Sequence, residues 1–504
     1  MNLLTVYNGK PVPQQKVPRA AIHHLFDAVL DSVGQGGRIS AMMGVPTIEG
    51  LLEIWVVLAD DANGHLQVGA GTVTGDAFKC LTGRCPQAHL FERELCETWG
   101  VVPEGHPWLK PVRYLAPRRT GRDPFGFAAQ PPVPGVTDFY RVEGEEIHEV
   151  AVGPVHAGVI EPGHFRFQCH GEEVLHLEIS LGYQHRGVER ALVGGPNVRS
   201  IHYAETLAGD TSIGHATAYC QLVEGLAGCQ APARAQALRG VALELERLAN
   251  HTGDLGALAG DVGFLPTASY CGRLRGDFLN LTAELCGSRF GRGLVRPGGV
   301  GFDVDEERTA EMLRRLATAL RDVKDSSELL WNTASVQARF EDTGALSTEL
   351  AALLGMVGPS ARASGLSRDI RRDQPAGVFR FAQVVVPVLS SGDVFARALI
   401  RELEIDRSAS FVREQLESPP SGPVRVPVGP LAPDRFCVSL VEGWRGELCH
   451  LALTDAEGRF SSYKVVDPSF HNWPGLALAL RDQQISDFPL CNKSFNLSYC
   501  GHDL

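Results

Sequence analysis

The chain has 504 residues, about three average domains by length. Apolar residues make up 44% of it and charged residues 21%, so it can bury a large core. The formal net charge of −12 argues against a general nucleic-acid-binding protein, because such a protein presents a dense basic face.

The first 110 residues predict a small α+β domain. Apolar residues from Ile22 to Val33 recur at helical spacing. Two apolar runs, 54–58 and 66–68, flank Asn63-Gly64, which predicts a β-hairpin. A second helix is predicted at 88–99.

Residues 111–146 differ in composition from the segments on either side. Residues 111–135 are rich in Pro, Gly and Arg and show no apolar periodicity. This pattern predicts a linker, or an extended arm over a partner surface.

Residues 147–504 predict a large, mainly α-helical domain with peripheral β-hairpins. Phe165, Phe167, Leu177 and Ile179 alternate with polar residues on either side of a turn at 169–172, which predicts one hairpin. The long amphipathic helices are expected at 233–251, 307–332 and 391–416, and short strands at 437–440 and 448–453. The fold class expected for the whole chain is α+β.

Several common site signatures are absent from the sequence. It contains neither a Gly-x-Gly-x-x-Gly turn after a strand nor a phosphate-binding Gly-x-x-x-x-Gly-Lys-Ser/Thr loop, so an NAD site is expected only on another subunit. None of the 12 cysteines forms a Cys-x-x-Cys pair. No secretory signal or long apolar segment is visible, which predicts a cytoplasmic location.

Longer strings of residues carry a family resemblance. In chain order they are Glu92-Arg93-Glu94, Gly105-His106-Pro107, Glu161-Pro162-Gly163-His164, Tyr183-Gln184-His185-Arg186-Gly187, Glu246-Arg247-Leu248, Arg296-Pro297-Gly298-Gly299 and Gly358-Pro359-Ser360-Ala361-Arg362. The first two resemble the 30-kDa-type subunit of respiratory complex I. The others resemble the large subunit of group 4 [NiFe]-hydrogenases and the 49-kDa-type subunit of complex I. The order of these two halves, fused in one chain, resembles that of the large subunit of formate hydrogenlyase and of hydrogenase-4.

The resemblance implies a nickel site that the sequence does not complete. Family hydrogenases hold nickel with four cysteines in two Cys-x-x-Cys pairs, and thiolates suit this soft metal. The corresponding positions here are Ala208, Thr211, Ser498 and Gly501. A serine hydroxyl stays protonated near neutral pH and glycine has no side chain, so we expect no nickel–iron centre and no other cofactor in this chain. A different metal site built from Cys491, Cys500, His502 and His215 is an alternative.

Complex I relatives use the same cavity for quinone, with a His and a Tyr. His156 matches the first His of the family loop, but the quinone-binding His falls at Ile160 and the Tyr near Gly209. His202 and Tyr203 precede Gly209 by one or two helical turns and are candidate substitutes. A quinone is therefore a candidate ligand of His156, His202 and Tyr203.

One polar element of the family site persists. Arg445, in the string 442–447, resembles the arginine that overhangs the metal centre of hydrogenases. A buried arginine needs an anion, and Asp210 is the candidate partner because it lies within the emptied first motif. Arg445, Asp210 and His215 are the candidate catalytic residues.

The resemblance implies a subunit of a membrane-associated oxidoreductase complex. We expect an iron–sulfur small subunit carrying the cluster, membrane antiporter-like subunits, and a position at the inner side of the cell membrane through these partners. The alternative is a non-catalytic scaffold or coupling subunit. A third interpretation is a subunit of an NAD-linked dehydrogenase.

Overall fold

The N-terminal part contains a five-stranded sheet covered by helices. The computed structural model describes residues 1–119, 121–127, 133–135, 137–156 and 160–504. Its first strands are β1 (Leu4–Val6), β2 (Val12–Pro13), β3 (Arg19–Ala21), β4 (Arg38–Pro46), β5 (Leu52–Asp60), β6 (His65–Val73), β7 (Ala77–Lys79) and β8 (Val102–Glu104), with helices α1 (Ile22–Gly34) and α2 (His89–Trp99). The sheet order is β1-β6-β5-β4, and β3 pairs in parallel with β6.

The predicted N-terminal elements are confirmed. Helix α1 buries Leu25, Phe26 and Val29 on one face, as their spacing requires. The β5–β6 hairpin turns at the predicted Asn63-Gly64, and the positive φ of Gly64 (68°) suits glycine at this turn. Strand β4 has no alternation, because almost all of it is buried, and the sequence pattern does not predict it.

The segment that connects the two parts contacts other residues of the same chain through Arg113. Among its described residues, 105–146 hold no helix or strand. Arg113 is buried, pairs with Glu94 and donates to the backbone oxygen of His502 from Nε (3.0 Å) and Nη2 (2.9 Å). This segment therefore ties α2 to the C-terminal residues.

The second part begins with a three-stranded antiparallel sheet and continues into a helical body. Strands β9 (Ile147–Val152), β10 (His164–His170) and β11 (Glu173–Ser180) include the predicted hairpin. The helical body has α3 (Val188–Leu192), α4 (Ser200–Glu205), α5 (Ser212–Leu226), α6 (Ala233–Asp261), α7 (Leu265–Cys286), α8 (Glu306–Trp331), α9 (Ala334–Phe340), α10 (Thr348–Leu353), α11 (Gly358–Ala363), α12 (Ile370–Asp373) and α13 (Val394–Glu417), with the short strands β12 (Val295–Arg296) and β13 (Gly299–Val300). The three long helices predicted from periodicity are confirmed as α6, α8 and α13.

The C-terminal part builds a second sheet. It holds β14 (Arg435–Gly443), β15 (Gly446–Thr454) and β16 (Phe460–Val466), followed by α14 (Pro468–Ala479), α15 (Phe488–Phe495) and α16 (Tyr499–Asp503). Strands β14 and β15 are longer than predicted and almost entirely buried. A turn between Thr454 and Phe460 links β15 to β16, while β14 and β15 join through Trp444-Arg445.

The two parts share one core. Strand β2 pairs with the edge of β14, and Trp55 of β5 packs on Phe436 of β14 with ring centroids 5.4 Å apart. Apolar residues of both sheets belong to one buried cluster. Among the helices of the described ranges, none has the length and hydrophobicity needed to cross a lipid bilayer.

Candidate functional site

Arg445 stands at the tip of the β14–β15 hairpin, which buried arginines hold in place. Arg247 of α6 donates to the backbone oxygens of Glu442 (2.8 Å) and Gly443 (3.1 Å). Arg362 donates to the Glu442 carboxylate at 2.8 Å. The hairpin tip is therefore fixed from two helices, which limits the positions that Arg445 reaches.

Arg445 forms the ion pair expected from the sequence. Its Nη1 and Nη2 atoms lie 2.6 and 2.8 Å from the two carboxylate oxygens of Asp210. Nε donates to the backbone oxygen of Asn496 (2.5 Å), Nη1 also reaches the Thr211 hydroxyl (3.3 Å), and the guanidinium lies 3.9 Å from the Trp444 ring centroid. Burial alone would raise the pKa of Asp210, but the guanidinium outweighs it and holds this pKa below its ordinary value.

The two degenerate motifs meet around this pair. The Asp210 backbone oxygen accepts from Trp444 Nε1 and from Asn250 Nδ2, both at 2.9 Å. From the other side, the thiol of Cys500 interacts with the backbone of Gly209 and lies 3.5 Å from the Ser498 hydroxyl. We call the set formed by Asp210, Thr211, Arg445, Asp467, Ser498 and Gly501 the motif cluster.

Asp467 lies directly behind Gly501, the last of the four degenerate ligand positions. The sequence analysis did not predict this residue as part of the site. A Cβ atom on Gly501 would lie 2.7 Å from the Asp467 carboxylate. That carboxylate caps α14 by accepting from Ser469 N (2.8 Å), and it lies 3.2 Å from His215 Nε2. The Asp467-Pro468 dipeptide is a helix-start signal that could have located this residue at a helix N-terminus.

A buried hydrogen-bonded chain starts at Asp467. His215 Nδ1 lies 3.0 Å from His450 Nε2, and His450 Nδ1 lies 2.8 Å from the Tyr463 hydroxyl. Burial lowers the pKa of His450 well below its ordinary value, so its ring is neutral. His215, a candidate catalytic residue, thus joins the motif cluster to a neutral His–Tyr pair.

His156 lies in a loop that packs against the second motif. Its Nε2 atom is 3.0 Å from the backbone oxygen of Gly163, and a Cβ on Gly163 would be 2.5 Å from the Tyr499 ring. Ile160 is exposed, while residues 157–159 lie outside the described ranges.

His202 and Tyr203 occupy a different position from His156. His202 lines a separate surface cleft of about 700 Å³ and its Nδ1 lies 3.1 Å from a Glu205 carboxylate oxygen. Tyr203 packs on the helical core. Within the described ranges, neither side chain hydrogen-bonds to the motif cluster, so the structure does not join the three quinone candidates into one site.

The alternative metal site is also not assembled. All 12 cysteines are free, and within the described ranges no group of three or more His, Cys, Asp or Glu side chains has metal-binding geometry. Cys491 instead lies beside Arg397, with Sγ 4.0 Å from Nη2, and His502 bonds to Asp503.

Comparisons with known proteins agree with this architecture. Residues 261–435 match the family described as respiratory-chain NADH dehydrogenase, 49 Kd subunit. The chain is 28% identical to formate hydrogenlyase subunit 5 of Escherichia coli, over 92% of this chain and 84% of that protein. It is 30% identical to NADH-quinone oxidoreductase subunit 4 of Thermus thermophilus, over 68% of this chain and 90% of that protein. The chain belongs to the 49-kDa subunit family of respiratory-chain NADH dehydrogenase.

A solved structure supports the same fold. One chain of the membrane-bound sulfane sulfur reductase, described as an archaeal respiratory membrane complex, superposes with a TM-score of 0.66 at 23% identity. The match covers 72% of this chain and all of that one. Other members of the 49-kDa subunit family and its relatives are subunits of hydrogenase, formate hydrogenlyase and NADH-quinone oxidoreductase complexes.

The residues of this family member do not fit a nickel–iron centre. Ala208 and Gly501 offer no donor atom, and the Ser498 hydroxyl already accepts from Gly501 N at 2.9 Å. None of the four ligand positions carries a sulfur atom, and Cys500, beside Ser498, adds a single thiol at the second motif. The donor set therefore lacks the four sulfur ligands of such a centre.

Proposed function

We propose that this chain is the hydrogenase-like large subunit of a membrane-associated redox complex and carries no nickel–iron centre. It takes part in electron transfer with an iron–sulfur small subunit, which holds the cluster, at the inner side of the membrane. Relatives in formate hydrogenlyase and NADH-quinone oxidoreductase complexes support the redox assignment. The observation that carries the proposal is the motif cluster, where the Arg445–Asp210 ion pair lies beside the first degenerate motif and Asp467 lies against Gly501 of the second.

The motif cluster suits charge stabilisation and proton handling rather than metal binding. The guanidinium of Arg445 is held by Asp210, and the Asp467 carboxylate connects to His215 and His450. Such a set can hold or pass a proton near a reducible group on a partner. A quinone headgroup beside the His156 loop is the candidate acceptor, because this loop packs against the second motif.

The assembly part of the proposal is tested by purification. The tagged full-length chain, isolated with mild detergent from its own host, is expected to bring down an iron–sulfur subunit and membrane subunits in equal amounts. Mass spectrometry identifies them, and electron paramagnetic resonance detects the reduced cluster. Recovery of the chain alone, or with soluble partners only, would refute the assignment.

The redox part is tested by a matched pair of histidine variants. His156→Ala should lower the rate of quinone-analogue reduction by the complex at least tenfold, while His202→Ala, in the separate cleft, should leave it unchanged. Equal rates in both variants and the parent would contradict a quinone at the His156 loop.

A scaffold or coupling role is the second candidate, and one observation favours it. All three nitrogens of the Arg445 guanidinium bond to atoms of the same chain, at Asp210, Thr211 and Asn496. Four of the five guanidinium N–H groups are used in this way, which favours a structural role over contact with a substrate. Arg445→Lys distinguishes the roles: a slowed electron transfer in a fully assembled complex supports the redox role, and an unchanged rate supports the scaffold.

A further inference from the structure

A second cavity lies where the N-terminal part meets the large part. It has a volume of about 310 Å³ and lies between α2, β11 and α14. Small-molecule sites fall in the range of about 300–1,000 Å³ and occur preferentially at domain interfaces. Its walls are largely apolar, formed by side chains that include Leu90, Val112, Leu177, Leu354 and Leu478.

The polar end of this cavity holds an arginine without a carboxylate partner. Arg93 of α2 is half-buried, and it donates to the backbone oxygens of Lys110 (2.8 Å) and Pro111 (2.7 Å). No described carboxylate lies within 4.0 Å of its guanidinium. Burial lowers the pKa of Arg93, and the more distant carboxylates of Glu178 and Glu97 offset this effect only in part.

The other charges at the cavity leave it positive. Glu178 also lines it, but this carboxylate is paired with Lys110 at 2.6 Å. Arg481 lines the exposed rim and adds a second cation. His89 and His176 contribute no charge, because burial lowers the pKa of both rings.

We propose that this cavity binds a small amphipathic carboxylate, with its aliphatic body against the apolar wall and its carboxylate on Arg93. A guanidinium and a carboxylate match in charge and in bidentate geometry. This site lies on residues outside the motif cluster, and the inference does not depend on the proposed function.

Calorimetric titration of the purified full-length chain tests the proposal. Decanoate is the probe, and decanol, which has the same chain length but no charge, is the control ligand. Decanoate should bind one site per chain at least tenfold more tightly than decanol. Ala477→Trp, which fills the cavity from α14, should abolish binding, whereas Ala310→Trp on the exposed face of α8 should not. Arg93→Gln should weaken decanoate at least tenfold and leave decanol unchanged.

Three results would overturn the proposal. The first is decanoate binding no tighter than decanol. The second is unaltered decanoate binding in an Ala477→Trp chain that unfolds at the parental temperature. The third is binding of the neutral decyl-ubiquinone at this cavity in preference to decanoate, since Arg93 would then not select an anion.

Discussion

At the residue scale, the Arg445–Asp210 pair decides what the site can be. Both residues could be predicted, because the family resemblance places each at the edge of the emptied metal position and a buried arginine needs an anion. Asp467 could not be predicted as their neighbour, since nothing local in the sequence brings residue 467 beside residue 501. Separation along the chain, rather than residue chemistry, limits such inference.

Asp210→Asn should destabilise the protein by about 3 kcal/mol, because it leaves the Arg445 charge buried and unpaired. Urea denaturation measures the change. The double variant Asp210→Asn/Arg445→Met should recover most of the loss, since it removes both charges. Asp277→Asn, which breaks an exposed pair with Arg273, is the control and should cost less than about 1 kcal/mol. Unchanged stability and complex activity in Asp210→Asn would refute the structural importance of the pair.

The pKa of Asp210 lies below its ordinary value of 3.8, so the pair also has a definite acid dependence. The stabilisation is complete above the ordinary value and is lost as the pH falls through the lower folded value. In acid, the difference in stability between the parent and Asp210→Asn should therefore shrink below about pH 4. Denaturation midpoints between pH 2 and 6 would show it, and a constant difference would contradict it.

At the element scale, the N-terminal segment is bonded to the C-terminal sheet. Asn8 donates from Nδ2 to the backbone oxygens of Gln374 (2.7 Å) and Leu440 (2.9 Å), and its Oδ1 accepts from Leu440 N at 2.8 Å. Periodicity predicted helices α6, α8 and α13 and the hairpins β5–β6 and β10–β11. It could not predict β4 or the full length of β14 and β15, because strands buried on both faces lose their alternation.

Asn8→Ala should lower the free energy of unfolding by about 2–3 kcal/mol, because it leaves buried backbone groups of Leu440 and Gln374 without partners. Chemical denaturation provides the value. Asn63→Ala, in the exposed β5–β6 turn, should change stability by no more than about 0.5 kcal/mol. Equal effects of the two substitutions would show that Asn8 does not join the two parts.

At the whole-molecule scale, buried neutral histidines make the fold sensitive to acid. His471 of α14 is 5% exposed, and burial lowers its pKa from 6.5 to about 4. Between these values the unfolded chain binds a proton that the folded chain excludes. The stability contributed by this group therefore decreases as the pH falls through the window, by about 1.4 kcal/mol per pH unit.

His471→Gln should accordingly flatten the dependence of stability on pH between about 4 and 6.5. Urea midpoints at several pH values give the slopes of the parent and the variant. The exposed His23→Gln is the control and should keep the parental slope. A parental slope in His471→Gln would show that this ring is not held neutral in the fold.

The central claim concerns the whole molecule as well: a chain similar to hydrogenase subunits holds an ion pair and a carboxylate beside the four degenerate ligand positions. Elemental analysis of the purified complex tests it most directly, because nickel has no place in the iron–sulfur clusters of a partner. The donor atoms of a site decide which metal it binds, and the four ligand positions of this chain lack sulfur. We therefore predict less than about 0.1 nickel per chain. One nickel per chain would contradict the account.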